Sequence, residues 1–240
     1  MCLVDTNELA DYDPSIFQRP SVTVDVVALT IRGDRLCALL IQRGVPPFRG
    51  HWALPGGFVQ MTEDLDSAAM RELAEETAIR APAAYLEQLY TFGKPDRDPR
   101  TRVISVAYYA LFPDRSSGLP DAPNEPRGGT DAADAAWYPI DKLPALAFDH
   151  ADILALALER LRAKLSYSSV AYALLPEEFT LTELQTTYEI ILGRTLDKRN
   201  FRKKLLASDI VEATANQKRD GAHRPAQLYR FARREPVLLS

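Results

Sequence analysis

Cysteine is scarce in this sequence, with Cys2 and Cys37 the only two among 240 residues. Two cysteines without the short spacing of a metal or redox motif exclude a disulfide-stapled scaffold and a cysteine-ligated zinc site. Long apolar runs are also missing, because no stretch approaches the roughly 20 residues that a membrane span needs. The first residues lack the basic start and apolar core of a signal peptide. We therefore expect a cytoplasmic protein with no membrane partner.

Charge is distributed unevenly along the chain, whose formal net charge is −4. Residues 1–160 carry 15 basic and 24 acidic side chains, a balance of −9, whereas residues 161–240 carry 14 basic and 9 acidic ones, a balance of +5. With 46% hydrophobic side chains, the chain is long enough for one or two domains with proper cores. An acidic N-terminal part and a basic C-terminal part indicate two units with different partners.

Residues 57–79 hold the densest pattern of acidic side chains. Glu72, Glu75 and Glu76 are three and four residues apart, so on a helix they share one face. A separate apolar row at i, i+4 spacing can be buried, namely Leu65, Ala69 and Leu73. Three neighbouring carboxylates repel one another unless a cation lies among them, and oxygen ligands suit Mg²⁺ or Mn²⁺. A solvated acidic face is the alternative interpretation.

The same stretch resembles the Nudix box, whose pattern is G-x5-E-x7-R-E-U-x-E-E-x-G-U with U apolar. The matching residues are Gly57, Glu63, Arg71, Glu72, Leu73, Glu75, Glu76 and Ile79. Residues 52–58 are similar to the lead-in that precedes this motif in the family. One position departs, because Ala78 stands where the pattern has glycine. A residue just after a helix often adopts the left-handed conformation, which costs alanine on the order of 1 kcal/mol.

The resemblance implies an α/β/α sandwich with a mixed sheet, and a reaction that cleaves nucleoside diphosphates linked to another group. It implies that Mg²⁺ or Mn²⁺ binds at Glu72, Glu75 and Glu76, and that the catalytic residues are Glu63, Glu75 and Glu76. Arg71 would anchor a glutamate. Ala78 deletes no ligand, so hydrolysis stays an open question.

Arginines around this motif are candidates for binding a diphosphate, because a guanidinium forms paired hydrogen bonds with phosphate oxygens. Two candidates, Arg43 and Arg49, precede Trp52, and two others, Arg97 and Arg102, belong to the charged loop of residues 94–102. That loop resembles a segment that helps to shape the substrate pocket of ADP-ribose-type Nudix proteins. With the motif residues, the candidate ligand-binding set is Arg43, Arg49, Trp52, Gly57, Arg71, Arg97 and Arg102. A solvated surface is the alternative for these arginines.

Strand-like runs of β-branched and apolar residues occupy residues 21–33, 36–41, 85–93, 103–112 and 135–140. Apolar side chains repeat at helical spacing over residues 152–165 and predict a helix. His150, just before it, is interpreted as a cap or packing residue rather than a ligand. We expect an N-terminal arm at 1–20, a Nudix domain at 21–148 and a linking helix at 149–167.

The sequence of the basic C-terminal part of the chain predicts two short helices joined by a turn. Thr180 and Glu183 form the capping box of the first helix. Asp197 is a suitable N-cap for the second helix, in which Phe201 and Leu205 mark the buried side. The face opposite Phe201 is basic. Two helices joined in this way have helix-turn-helix form.

A hairpin follows the helix pair, with strand-like segments at 210–215 and 226–231 around a basic loop. This order is typical of a winged helix-turn-helix, in which the second helix enters a groove and the wing contacts phosphates. The candidate DNA-binding residues are Lys198, Arg199, Asn200, Arg202, Lys203, Lys204, Lys218, Arg219, His223 and Arg224. A solvated basic face is the alternative for the helix, and a protein-interaction module is the alternative for the fold.

A Nudix domain followed by a winged helix-turn-helix at 168–240 resembles the Nudix-related transcriptional regulators of NAD metabolism, the NrtR family. The resemblance covers nearly the whole chain and includes Phe148-Asp149-His150. It implies a homodimeric repressor that binds double-stranded operator DNA and controls genes of NAD synthesis or salvage. ADP-ribose or a related NAD-derived ligand would bind the Nudix domain and release the DNA.

Other functions stay open at this point. One is a Mg²⁺-dependent ADP-ribose pyrophosphatase that uses the winged helix as an interaction module, or a protein that is both enzyme and repressor. Another is a sugar-responsive regulator with the same domain order. The intact glutamates favour retained hydrolysis, whereas the one-sided basic helix favours DNA binding.

Overall fold

The computed structural model describes residues 13–79, 83–113, 125–129, 131–219 and 225–237. Within these ranges, seven strands form one sheet and three strands form another. The larger sheet contains β1 (Ser21–Arg32), β2 (Arg35–Arg43), β3 (Trp52–Ala53), β4 (Gly56–Phe58), β5 (Tyr85–Phe92), β6 (Val103–Leu111) and β7 (Ala132–Pro139). The helices are α1 (Leu65–Thr77), α2 (His150–Lys164), α3 (Leu181–Leu192) and α4 (Lys198–Ala207).

The larger sheet is mixed. Its main strand order is β3-β2-β1-β6-β5, with β4 paired to β1 and β7 paired to β2. Strand β6 pairs in parallel with β1 along the whole length of β6, and the other pairs are antiparallel. Parallel strands need a long crossover, and here that crossover carries α1.

The two faces of this sheet are covered by different helices. Alternate residues of β1 point to opposite faces, so Val24 and Val26 belong to the core under α1, whereas Val27 and Leu29 belong to the core under α2. The buried residues of α1 in the first core are Ala68, Ala69 and Leu73. Those of α2 in the second are Ile153, Leu154, Ala157 and Leu161. The expected α/β/α sandwich is confirmed.

Helix α1 is capped at both ends, and its C-terminal end has the left-handed residue that the motif predicts. Asp64 is its N-cap and accepts a hydrogen bond from Ser67 N at 2.7 Å. Ala78 is its C-cap and adopts the left-handed conformation with φ 58°, donating its N–H to Ala74 O. An alanine therefore holds the conformation that the Nudix pattern assigns to glycine, and the helix keeps its end despite the added Cβ.

The second sheet and the last two helices form a winged helix-turn-helix. The sheet runs β8 (Phe179–Thr180), β10 (Ala226–Phe231) and β9 (Val211–Lys218), all antiparallel. The capping box of α3 is present, because Thr180 Oγ1 accepts from Glu183 N at 3.1 Å and Glu183 accepts from Thr180 N at 2.7 Å. Gly193 ends α3 with φ 67°, and Asp197 caps α4 through Asn200 N.

Helix α2 contacts both units. Its buried Leu161 shares one continuous apolar core with Ile191 of α3 and Leu29 of β1. Arg162 Nε donates to Ile191 O at 2.9 Å, while Lys164 Nζ donates to Tyr85 OH of β5 at 2.6 Å. The linking helix is thus built into the cores on both sides of it. None of the helices in the described ranges is both long and apolar enough to span a membrane.

We predict that Ala78→Gly stabilises the protein by about 1 kcal/mol, because glycine adopts the left-handed conformation without the Cβ clash that alanine carries there. Urea denaturation followed by circular dichroism measures the free energy of unfolding. The matched control is Ala74→Gly inside the same helix, which should lower that free energy by about 0.5–1 kcal/mol. A destabilised Ala78→Gly protein would contradict the prediction.

Candidate functional site

A cleft opens between the larger sheet, the C-terminal end of α1 and the start of α2. It encloses about 110 Å³. Polar and aromatic side chains dominate its walls, among them Thr23, Asp25, Arg43, Phe58, Glu76, Arg97, Asp98, Arg100, Asp131, Phe148 and His150. Strands β1 and β2, the loop after β5 and the segment before α2 each contribute, so the cleft exists only in the folded sandwich.

A buried ion cluster forms one wall of the cleft. Arg97, with a side chain 4% exposed, donates from Nε and Nη2 to the two Asp149 oxygens at 2.9 and 2.6 Å, and from Nη2 to Asp25 Oδ2 at 3.2 Å. Ser105 Oγ donates to the same Asp25 oxygen. Because its guanidinium is committed to two carboxylates, Arg97 fixes the wall and is not placed to bind a diphosphate.

His150 is buried beside this cluster. Burial lowers the pKa of His150, so the ring is neutral and its Nδ1 accepts a hydrogen bond from Leu54 N at 2.9 Å. Its Nε2 lies 3.5 Å from Asp25 Oδ1. The interpretation of His150 as a packing residue agrees with these contacts.

Two other arginines face the cleft over an aromatic ring. The guanidinium carbon of Arg43 lies 4.9 Å from the centroid of Phe148, and that of Arg100 lies 5.9 Å from it. Burial lowers the pKa of Arg43, and the nearby charge of Arg100 lowers it further. Asp98 holds Arg100 through two hydrogen bonds at 3.0 and 2.7 Å. Two like charges set this close are stabilised by an anion between them, which suits a phosphate.

Phe148 has an unusual backbone at this position. Its φ is 54°, in the left-handed region that a bulky side chain rarely adopts. The ring contacts Phe48 edge to face at a centroid distance of 4.8 Å and also contacts His150. Strained residues cluster at ligand sites, so this conformation marks the Arg43–Phe148–Arg100 wall as the functional side of the cleft.

Most of the motif glutamates gather around Arg71. Its Nε and Nη2 donate to Glu63 at 2.8 and 2.6 Å, and its Nη1 donates to Glu72 at 2.7 Å and to Glu75 at 3.1 Å. The hydrogen bonds from Arg71 lower the pKa of Glu63 to about 2. Gly57 lies so close to this cluster that a Cβ would meet Glu72 Oε1 at 2.5 Å.

Glu76 points the other way, into the cleft. Its Oε2 accepts from Gly56 N at 2.9 Å, and burial raises its pKa to about 8. The negative charge of Glu72 also raises this pKa, whereas the hydrogen bond from Gly56 N and the positive charge of Arg43 lower it. Of the predicted catalytic residues, Glu76 alone lines the cleft in the part of the chain that the structure describes.

The glutamates suit a divalent cation in type, because carboxylate oxygens are the ligands that Mg²⁺ prefers. In the described ranges, however, no group of three or more His, Cys, Asp or Glu side chains surrounds a point that a metal could occupy. Glu72 and Glu75 share Arg71, whereas Glu76 faces Gly56. As placed, the three side chains do not form a metal site, and binding would require them to leave these partners.

The predicted ligand-binding residues divide into two groups. Arg43, Gly57 and Arg97 line the cleft, whereas Arg49, Trp52, Arg71 and Arg102 do not. The ring of Trp52 contacts Tyr138 edge to face at a centroid distance of 4.8 Å, and Arg102 Nη1 donates to Lys94 O.

Several residues of the cleft were not predicted from the sequence as site residues, among them Asp25, Arg100 and Phe148. A signal existed for Asp25, because an isolated acid between apolar β-branched residues of a buried strand rarely lacks a partner. The sequence does not distinguish Arg100, which is exposed at the opening of the cleft, from Arg97, which is buried in its wall. Only the folded structure shows the difference.

The predicted DNA-binding residues of α4 form an exposed basic surface. Lys198, Arg199, Asn200, Lys203 and Lys204 are all exposed. On the opposite side Leu205 is buried, and Phe201 contacts Tyr188 of α3 at a ring distance of 5.2 Å. The exposed face of α4 is therefore basic, and its opposite face packs against the rest of the winged helix.

Arg202 differs from the other bases of α4, because it is half-buried. Its Nη2 donates to Thr182 Oγ1 of α3 at 3.0 Å, and its Nε is buried without a hydrogen-bond partner in the described structure. This contact joins the N-terminal turn of α3 to the middle of α4. Arg202 is thus placed to set the angle between the helices as well as to approach DNA.

The wing is the hairpin of β9 and β10. Lys218 and Arg219 are exposed at its end, and Lys218 Nζ contacts Glu183 Oε1 of the capping box at 2.6 Å. His223 and Arg224 lie outside the described residues. The lysine that was predicted to meet a phosphate is thus also a link between the wing and α3.

Two family models match the chain. Residues 19–157 match the NUDIX domain, and residues 171–231 match the NrtR DNA-binding winged helix domain. The ADPR responsive transcriptional repressor NtrR of Acinetobacter baylyi is 40% identical over 228 residues, which cover 93% of this chain and 87% of that protein.

Solved structures are similar as well. Shewanella oneidensis NrtR in complex with a 27mer DNA has a TM-score of 0.71 and 35% identity, over 88% of this chain and 93% of that one. The NUDIX domain of the same protein in complex with ADP ribose has a TM-score of 0.55 and 37% identity, over 66% of this chain and 99% of that one.

We predict that Arg199→Ala weakens binding of specific DNA by about 1–3 kcal/mol if the side chain reads a base edge, and leaves the melting temperature unchanged. Arg202→Ala should weaken binding and also lower the melting temperature, because it removes the contact with Thr182. Electrophoretic mobility shifts and thermal unfolding separate the two effects. Arg35→Ala, an exposed arginine at the turn between β1 and β2, is the control. Equal DNA affinity in Arg199→Ala and Arg35→Ala would contradict this role.

Proposed function

The chain belongs to the Nudix family and, within it, to the NrtR group of transcriptional regulators, and on that premise we propose that it is a DNA-binding repressor. Its Nudix unit senses ADP-ribose or a related NAD-derived ligand and releases the DNA when that ligand binds. The genes it controls are those of NAD synthesis or salvage. A repressor of this kind acts in the cytoplasm, because the operator DNA that it binds is there.

The observation that carries the proposal is the pairing of an exposed basic α4 with a cationic cleft in one chain. The cleft presents Arg43 and Arg100 beside an aromatic ring, which suits a diphosphate joined to a nucleoside. The similar proteins support the same pair of partners, since one is described as ADPR responsive and solved relatives hold DNA and ADP ribose.

Helix α2 offers a route between the two sites. Its N-cap, Asp149, makes no side-chain cap hydrogen bond and instead holds Arg97 in the wall of the cleft. Near its other end, Arg162 donates to Ile191 O of α3. A ligand that moves the Phe148–Asp149 segment therefore acts on the N-terminus of a helix whose C-terminal turn contacts the DNA-binding unit. The measurable consequence is a coupling free energy that is the same in both directions.

We predict that Arg43→Gln or Arg100→Gln weakens ADP-ribose binding roughly tenfold to hundredfold, because each removes a charged hydrogen-bond donor from the cleft. Arg49→Gln is the matched control, as this arginine is exposed outside the cleft. Isothermal titration calorimetry with and without operator DNA measures both affinity and coupling.

Two results would count against this sensing role. One is equal loss of affinity in Arg49→Gln and Arg43→Gln. The other is an ADP-ribose affinity that operator DNA leaves unchanged, because a ligand with equal affinity for both states shifts nothing. A free sugar that binds the cleft more tightly than ADP-ribose would favour the sugar-responsive alternative.

Hydrolysis of ADP-ribose is a second candidate function. The retained carboxylates at Glu63, Glu72, Glu75 and Glu76 favour it, and Nudix hydrolases use divalent metals such as Mg²⁺ or Mn²⁺. When bound, the metal would neutralise the diphosphate and activate water. In this chain Glu72, Glu75 and Glu76 would bind the metal. Glu72 and Glu75 would first have to break their hydrogen bonds with Arg71.

We predict that Glu75→Gln/Glu76→Gln abolishes any release of AMP from ADP-ribose in Mg²⁺ or Mn²⁺, because it removes two of the three proposed ligands. DNA binding without ligand should stay unchanged, since α4 lies in the other unit. Glu159→Gln, an exposed acid of α2, is the control. AMP release is measured by chromatography. Wild-type protein that releases no AMP with either metal would remove the hydrolysis proposal and leave the sensing proposal standing.

The protein is expected to act as a homodimer. One winged helix covers too little DNA for high affinity, and a two-fold protein matches a palindromic operator. Light scattering at micromolar concentration should therefore give twice the monomer mass of 26.8 kDa. The monomer mass together with a footprint of one half-site would contradict a dimer.

A further inference from the structure

A second cavity lies behind the basic helix, away from the Nudix cleft. It encloses about 310 Å³ between the end of α2, the end of α3, the turn after α3 and helix α4. Its apolar wall is formed by Leu165, Leu192, Leu196, Phe201, Leu205 and Ile210. This volume falls at the lower end of the range of roughly 300–1,000 Å³ that small-molecule sites occupy.

One polar group in the wall lacks a partner. Tyr188 is 7% exposed and lines the cavity, yet its hydroxyl makes no hydrogen bond to the described residues. Burial alone raises its pKa to about 12, so the hydroxyl stays protonated and can donate. The hydroxyl is not among the fully buried atoms of the described residues, so a molecule in the cavity can accept a hydrogen bond from it.

The charged residues around the cavity are all basic. Arg162, Arg194 and Lys204 line it, and none of its lining residues is acidic. Arg194 and Lys204 are exposed and have no ion-pair or hydrogen-bond partner within the described ranges, whereas Arg162 is engaged only through its Nε with Ile191 O. An apolar pocket with cations of one sign around it complements a molecule with an apolar body and an anionic head.

From these features we propose that this cavity, defined by Tyr188, Arg194 and Lys204 over an apolar floor, binds small amphipathic organic anions. The apolar body fills the space between Leu192 and Phe201, Tyr188 donates to the anionic head, and Arg194 and Lys204 neutralise it. An occupant would touch Phe201, Lys204 and Leu205 of α4 directly. The proposal does not rest on ADP-ribose binding, and its test does not involve the Nudix cleft.

The probe is anilinonaphthalene sulfonate, an apolar aromatic anion whose fluorescence rises on burial. Its neutral counterpart, N-phenylnaphthylamine, shares the apolar body without the sulfonate. Both are titrated into the full-length protein at several protein concentrations. We expect the anion to bind saturably with one site per chain. Affinity that falls as protein concentration rises would overturn the proposal, because a second copy of the chain would then cover the cavity.

Charge-removing variants locate the binding. Arg194→Gln/Lys204→Gln should weaken the sulfonate about tenfold and change the neutral probe less than about twofold, since the two cations act on the head alone. Arg199→Gln removes an exposed cation of the same helix that does not line the cavity, and it should change neither probe. Tyr188→Phe should weaken the sulfonate roughly threefold, in keeping with the loss of one hydrogen bond.

Three further outcomes would overturn the proposal. The first is no saturable binding of the sulfonate to wild-type protein. The second is an equal loss in Arg199→Gln, which would mean general attraction to the basic surface. The third is an equal loss of both probes in a double variant that still unfolds cooperatively, which would mean that the two cations do not act on the anionic head. If the double variant loses its cooperative thermal unfolding, the two single variants carry the same comparison.

Discussion

The buried ion cluster of Arg97 is the interaction on which the ligand cleft depends. Arg97 lies in the loop after β5, Asp25 lies in the middle of β1, and Asp149 is the N-cap of α2. Taking a guanidinium out of water is costly, and leaving it without one of its carboxylates costs about 3–5 kcal/mol. The three elements are therefore held in one arrangement. Phe148 precedes Asp149, so its left-handed backbone and its place between Arg43 and Arg100 follow from that arrangement.

Helix α2 passes this constraint to the rest of the chain. Its N-terminus belongs to the cleft, its middle is buried under the larger sheet, and its last turn contacts both β5 and α3. Lys164 and Arg160 both contact Glu87 of β5, which fixes the helix against the sheet. These contacts tie the N-cap of α2 at the cleft to its last turn at α3, which is the route along which a shift at Asp149 would act. Because α2 packs against both the larger sheet and α3, the acidic N-terminal part and the basic C-terminal part of the chain share one apolar core.

Local signals in the sequence predicted much of this architecture. Capping residues at Thr180 and Asp197 and the left-handed residue at position 78 depend on contacts within a few residues, and each is present. The cleft was less predictable, because its composition depends on partners far apart in sequence. Arg97 and Arg100 are three residues apart in one charged loop, yet one meets Asp149 and the other faces solvent and Phe148. No local pattern distinguishes them.

Magnitudes decide how ligand and DNA can be coupled through α2. Allosteric coupling in proteins is typically about 1–3 kcal/mol. A single hydrogen bond such as that from Arg162 to Ile191 O contributes about 1 kcal/mol net. It therefore accounts for the low end of that range but not the high end.

A larger coupling requires the apolar contacts of α2 to change as well, and burial of one leucine is worth about 1.5–3 kcal/mol. Leu161 and Leu165 are fully or nearly fully buried in the core that includes Tyr188 and Ile191, so a small displacement of α2 alters the packing behind α4. A coupling above about 1 kcal/mol therefore requires the apolar packing of α2 to change together with its hydrogen bond to α3.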